Sequence, residues 1–112
     1  YRALFEFQPQ PDPATDARGI LRFDGTAITY AAPFDGKPVF VALGGFAASP
    51  AHNRIIIENP SGTGVKISGD FALARLAFFT TPRMICPEPF VAIDLAPGQK
   101  QRWKRTYRFF GP

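Results

Sequence analysis

Cysteine and histidine are almost absent from this sequence, since Cys86 and His52 are the only ones among 112 residues. A single cysteine excludes a disulfide within the chain, and one cysteine with one histidine is too few for a convincing metal site. No Cys-His spacing indicates a nucleophilic thiol, so Cys86 is expected to be a buried, inert thiol. We therefore predict no metal and no cofactor, and we expect stability to come from packing.

Long apolar segments are also lacking, because no run approaches the roughly 20 residues that cross a bilayer. The sequence therefore predicts no membrane partner.

The formal charge of +4 is local, since five of the thirteen Lys and Arg lie between residues 100 and 108. Arg102, Lys104 and Arg108 are expected on one face of a final strand, where cations commonly protect a sheet edge. A polyanion such as nucleic acid is thus the less favoured partner.

Turn-forming and β-prone residues, in contrast, are plentiful. Twelve prolines and ten glycines are scattered along the chain, together with twelve phenylalanines and many β-branched residues. This composition is typical of short strands separated by tight turns, and 46% hydrophobic residues suffice for one core. We predict a single all-β domain over residues 1–112, an antiparallel β-sandwich of about eight to nine short strands.

Periodicity locates the strands. Residues 2–8 alternate, Asp24-Gly25 predicts a hairpin turn, and the apolar run 39–43 predicts a central strand covered on both faces. Residues 9–17 carry three prolines and are predicted to lie in a loop outside any ladder. Residues 72–80 show a possible helical stripe, but the absence of a cap favours a strand. The other predicted strands are 54–58, 65–68, and a last hairpin of 90–95 with 101–110 around Pro97-Gly98.

The C-terminal half contains three segments whose order and spacing are informative: GVKIS (64–68), LARLAFFT (73–80) and MICPEPFVAIDLAPGQKQRWKRTYRFF (84–110). Together they resemble the end of the galactose mutarotase-like, or aldose 1-epimerase-like, superfamily. That superfamily typically shows a Cys-x-Glu strand, an apolar strand, a Pro-Gly-[Glu/Gln] turn and an aromatic final strand. The matching residues here are Cys86 to Glu88, 90–95, Pro97 to Gln99 and 103–110.

The resemblance implies a carbohydrate ligand and cofactor-free isomerase chemistry. It implies that Glu88 is the base that takes the proton of the anomeric hydroxyl, so that the sugar ring opens. It also implies that the chain is the C-terminal part of a larger sandwich. The family's enzymes pair this glutamate with upstream histidines, and the segment ASPAHNR around His52 does not match that histidine segment.

Further candidate site residues follow from side-chain chemistry. Arg54, Arg75 and Arg83 suit sugar hydroxyls or a carboxylate or phosphate substituent, because guanidinium binds such groups in a bidentate manner. The alternative for each is a solvated strand face or an ion pair with Glu58 or Asp70. Two further candidates are His52, as an acid partner of Glu88 or an exposed bystander, and Trp103, which with Tyr107 and Phe109 forms either a sugar-stacking face or core.

Besides the less favoured polyanion binder, the sequence is compatible with two functions. One is a sugar mutarotase or epimerase with Glu88 as general base, which requires a second titratable group within reach of Glu88 or its substrate. The other is a non-catalytic β-sandwich module that binds carbohydrate or packs against a partner, either a second copy or a companion domain that completes the sandwich.

Overall fold

The computed structural model describes residues 1–15 and 17–112, and within these it contains ten strands and one short 3₁₀ turn. All strand pairs are antiparallel, which confirms the predicted all-β class. The strands are β1 Arg2–Phe5, β2 Gln10–Pro11, β3 Leu21–Asp24, β4 Ala27–Tyr30, β5 Val39–Gly44, β6 Arg54–Glu58, β7 Gly64–Gly69, β8 Arg75–Thr81, β9 Met84–Phe90 and β10 Arg105–Phe110, and the 3₁₀ turn covers Pro50–His52.

In the described part of the chain, these strands form two sheets that pack face to face. Sheet A has six strands in the order β10-β7-β6-β1-β4-β3, and sheet B has four in the order β2-β5-β8-β9. Both sheets contribute to one buried cluster, whose fully buried members include Ile28 and Ile55 from sheet A and Val39, Val41 and Phe78 from sheet B. The core therefore lies between the sheets, as in a β-sandwich.

The predicted hairpin in the first half is confirmed, with its turn one residue further along. Asp24 pairs with Ala27, so the two central turn residues are Gly25 and Thr26. Gly25 has a φ of 58° at the first central position, which is the requirement of a type II′ turn.

The apolar run of β5 is not covered on both faces, so that prediction was wrong. Val39, Val41 and Leu43 are buried in the core, whereas Phe40 on the opposite face is 49% exposed. The run is continuous because the outer face of sheet B carries an aromatic side chain, and not because a second layer covers it.

The prediction that residues 9–17 stay outside any ladder was also wrong for part of the segment, and residue 16 lies outside the described residues. Gln10 and Pro11 pair with Gly44 and Leu43 at the edge of sheet B. The Asp12 N–H donates to the Ala42 carbonyl at 2.9 Å, so the nitrogen of Pro11 faces away from β5. A proline fits there because its missing N–H is not needed by the ladder.

The last predicted hairpin does not form. Residues 91–104 contain no strand, and they connect β9 of sheet B to β10, which pairs with β7 in sheet A. The predicted Pro97-Gly98 turn is present, with Gly98 at a φ of 81° and the Gln99 N–H donating to the Ala96 carbonyl. The strand predicted at 90–95 is replaced by β9, a proline-containing edge strand that forms a tight hairpin with β8.

A buried hydroxyl ties the two sheets together at one end. Thr80 is fully buried, and its Oγ1 donates to the Met84 carbonyl at 2.8 Å. Because the single hydroxyl proton of Thr80 is used there, the Tyr30 hydroxyl donates to Thr80 Oγ1, at 2.7 Å. Burial raises the pKa of Tyr30, so this phenol stays neutral through the physiological range.

Replacing Thr80 with valine is expected to lower the free energy of unfolding by about 1–3 kcal/mol, because the Met84 carbonyl and the Tyr30 hydroxyl both lose their partner. Urea unfolding measures this loss. Tyr30→Phe serves as the control, since it removes one of the two bonds and leaves Thr80 Oγ1 bonded to the Met84 carbonyl. An equal loss in the two variants would contradict the assignment of Thr80 as the central member.

Candidate functional site

The outer face of sheet B presents three rows of side chains across neighbouring strands. Pairing places Phe40, Phe79 and Cys86 in one row, and Ala42, Ala77 and Glu88 in the next. In the third row Arg75 lies opposite Phe90. The middle row is therefore low across β5 and β8, where it consists of two alanines, and it is high only at Glu88 on β9.

This difference in height produces an open trough of 600 Å³, which we name the sheet B trough. Its floor is formed by Ala42 and Ala77, and its walls by Phe40 and by Arg75 with Phe90. The segment of residues 10–13, which includes β2, closes the end beside β5. Phe40 and Phe90 are both exposed, so aromatic surface is available at the rim.

Arg75 stands beside Phe90 across the strand pair. Its guanidinium carbon lies 5.5 Å from the ring centroid of Phe90, which is cation–π distance. This stacking orients the guanidinium at the wall of the trough and leaves its N–H groups available to a ligand. The arginine that interrupts an apolar strand in the sequence therefore lies at the candidate site.

Glu88 is half-buried on β9, directly across from Ala77 and on the same face as Arg75. Two of the residues singled out from sequence are thus brought to one face. The neighbour of Glu88 along this face is Cys86, which is only half-buried. Burial, and next the Glu88 carboxylate, raise the pKa of the Cys86 thiol, so the thiol is protonated at neutral pH and weakly nucleophilic.

The other sequence candidates lie elsewhere. His52 is in the 3₁₀ turn before β6, where its ring stacks on Phe7 at 5.3 Å and its Nδ1 accepts the Ala47 N–H at 2.8 Å. Its ring and Nδ1 therefore hold the loop before β6, and it does not stand on the outer face of sheet B with Glu88. Arg54 is on β6 in sheet A.

Arg83 is exposed in the two-residue turn between β8 and β9, with its backbone N–H donating to Thr81 Oγ1. It lines a second open cleft, of 710 Å³, together with Tyr30 and Phe34. Arg83 is thus separated from the trough by the length of the β8–β9 hairpin.

Trp103 precedes β10, so it does not share a strand face with the aromatics that follow it. Tyr107 is 50% exposed and Phe109 is 78% exposed, which shows that the core alternative for these two residues was wrong. Sheet B does not extend over this edge of sheet A. Arg102 and Lys104 also precede β10, so the predicted basic strand face shared with Arg108 was wrong as well.

The ion pairs weighed for the arginines are also replaced by other contacts. Glu58 pairs with Arg2, at 2.5 Å between Arg2 Nη2 and Glu58 Oε1. Asp70 instead accepts the backbone N–H of Lys104 at 2.8 Å.

Sequence reasoning missed the aromatic walls of the trough. The sequence pattern predicts Phe40 in a strand covered on both faces and Phe90 at the start of a separate strand. A usable signal was present, because β5 continues with Ala42 two residues after Phe40, and a small residue beside a large one on the same face marks a depression.

Comparison with family models, with curated protein sequences and with solved structures gave no match to this chain. Among the described residues, no helix is long and apolar enough to span a membrane. The same residues contain no cluster of three or more His, Cys, Asp or Glu side chains that would hold a metal ion.

Proposed function

We propose that this chain binds carbohydrate, with a sugar ring held in the sheet B trough. The observation that carries the proposal is the exposed aromatic surface of Phe40 and Phe90 around a floor of two alanines, with Arg75 and Glu88 on the same face. Ligand sites commonly combine such apolar walls with a few polar groups that fix orientation.

The chemistry of a pyranose fits this arrangement. Its C–H faces are apolar and pack on an aromatic ring, whereas its hydroxyl groups need hydrogen-bond partners around the rim. A carboxylate accepts from hydroxyls, and a guanidinium donates to hydroxyl or carboxylate oxygens, each through charge-assisted bonds. Arg75 supplies the donor at the wall of the trough, and Glu88, opposite Ala77 of its floor, supplies the acceptor on the same outer face.

The resemblance to mutarotase-like proteins adds a catalytic hypothesis for Glu88. In mutarotation, the carboxylate takes the proton of the anomeric hydroxyl, the bond from C1 to the ring oxygen breaks, and the ring oxygen receives a proton from an acid. The protonated Cys86 thiol is the neighbour of Glu88 along the strand face, while His52 is held in the loop before β6. Because His52 does not stand beside Glu88, carbohydrate binding is the main proposal and mutarotation is its extension.

Saturation-transfer NMR with free hexoses, uronic acids and sugar phosphates tests the proposal. We expect transfer to at least one sugar, with Phe40→Ala weakening affinity about three- to tenfold through lost stacking. Glu88→Gln should weaken affinity about tenfold or more, because a charged hydrogen-bond acceptor is lost.

Phe109→Ala is the comparison, since it removes an exposed aromatic on the other sheet: binding in the trough predicts no change, whereas weakened binding would favour the stacking face of Tyr107 and Phe109 instead. Exchange spectroscopy between the two anomers of the bound sugar then separates the two functions. If wild type exchanges the two anomers and Glu88→Gln does not, the protein catalyses mutarotation in addition to binding the sugar. If no sugar in the panel receives saturation transfer, the trough is not a sugar site. Equal transfer in wild type and Phe40→Ala would also refute the trough as the site.

A further inference from the structure

The outer face of sheet A carries an unusual group of positive charges. Arg54 on β6, Lys66 on β7 and Arg108 on β10 are all exposed, and all three line one shallow depression of 440 Å³. Ser68 and Thr106 line the same depression, and Glu6 lies at it as well. We name the three cations and the two hydroxyl residues the sheet A cation patch.

Strand pairing places these side chains next to one another. Arg54 lies opposite Ser68, and Ser68 lies opposite Thr106 on the next strand. In the neighbouring row, Lys66 lies directly opposite Arg108. Directly paired residues of antiparallel strands have their Cβ atoms about 4.5–5.5 Å apart, so two positive charges face each other across the β7–β10 pair.

Like charges in directly opposite positions destabilise a sheet. Within residues 1–15 and 17–112, no ion pair neutralises these cations, because the ion pairs there join Arg2 with Glu58 and Arg18 with Asp35. Lys66 Nζ instead lies 5.7 Å from the ring centroid of Phe110. Among the described residues, the depression thus holds three cations and two hydroxyl groups against a single carboxylate, that of Glu6, which forms no ion pair with them.

We propose that the sheet A cation patch binds a tetrahedral oxyanion, the sulfate or phosphate group of a ligand. Arginine forms bidentate bonds with such groups, lysine adds a point charge, and the hydroxyls of Ser68 and Thr106 donate further hydrogen bonds. An anion seated there relieves the repulsion between Lys66 and Arg108. This site is on the opposite sheet from the sheet B trough and does not depend on sugar binding.

The probes are inorganic sulfate and inorganic phosphate, titrated against the full chain at constant ionic strength with chloride as the balancing anion. Amide chemical shifts in ¹⁵N-HSQC spectra should change in a saturable way, with the largest changes on the three strands of the patch. Arg108→Gln and Arg54→Gln should each weaken the anion affinity about tenfold. The matched control is Arg22→Gln, which removes the same charge from an exposed position on β3 at the far edge of sheet A.

A second readout separates a binding patch from an ordinary solvated surface. In chloride alone, Arg108→Gln should raise the melting temperature by about 1–4 °C, because the repulsion with Lys66 is removed. In sulfate, wild type should gain more stability than Arg108→Gln, whereas Arg22→Gln should respond as wild type does. Equal sulfate responses in all three proteins, or shift changes that chloride reproduces, would overturn the proposal.

Discussion

Replacing Phe78 with alanine is expected to lower the free energy of unfolding by about 3–5 kcal/mol, the range measured for buried aromatic truncations. Phe78 is 0% exposed and lies near the middle of β8, an inner strand of sheet B. It pairs with Val41 on one side and with Pro87 on the other. Truncation therefore opens a cavity between the two sheets, at a point where neighbouring strands cannot easily collapse.

Urea unfolding followed by tryptophan fluorescence measures this loss, and Phe79→Ala is the matched control. Phe79 is the next residue on the same strand, but it faces outward and is only half-buried. Its truncation removes the same atoms with a loss of about 1 kcal/mol, because water already reaches the ring. If the two variants lost equal stability, the assignment of inner and outer faces of β8 would be wrong.

This face assignment is also what connects the fold with the proposed function. Alternate residues of β8 point to opposite sides, so the strand that places Phe78 in the core necessarily places Arg75, Ala77 and Phe79 outside. The register with β9 then sets Glu88 opposite Ala77. The trough is thus a consequence of core packing on the other side of the same sheet.

The sequence predicts correctly those strands and turns that depend on neighbouring residues. The β-branched run of β6, the hairpin at Gly25 and the Pro97-Gly98 turn each depend on residues close in sequence, and all three are present. Pairing between distant strands has no such local signal. The residues of β10 were predicted to pair within the last hairpin, yet they pair with β7, more than thirty residues earlier in the chain.

The candidate site was predictable in part for the same reason. Glu88 and Arg75 stand out as charges in apolar surroundings, and that contrast is visible in the sequence. Phe40 does not stand out, because an apolar residue in an apolar run reads the same whether its ring is buried or exposed. The edge strands β2 and β9 were not predicted because both contain proline. Proline argues against an inner strand, but it is tolerated in a strand at the edge of a sheet.

Gly45→Ala is expected to destabilise the protein by about 2–5 kcal/mol, because backbone strain and a steric clash add at one position. Gly45 follows β5 with a φ of 94°, a conformation that residues with a Cβ rarely adopt. A Cβ there would also lie 2.4 Å from the Gln8 carbonyl oxygen and 3.4 Å from the Gln10 side chain. Either the end of β5 or the chain entering β2 must move.

Gly36→Ala isolates the contribution of the clash. Gly36 has a similar φ of 87°, but a Cβ there would meet nothing within 4 Å, so only the conformational strain of about 1–2 kcal/mol remains. The excess loss in Gly45→Ala therefore measures how firmly residues 8–10 are held against β5. Because residues 10–13 close one end of the sheet B trough, we expect Gly45→Ala to weaken sugar binding as well, while Gly36→Ala leaves it intact. Equal stability losses in the two variants would mean that residues 8–10 move away from the new Cβ at no cost. The β2 end of the trough would then not be closed by a fixed wall.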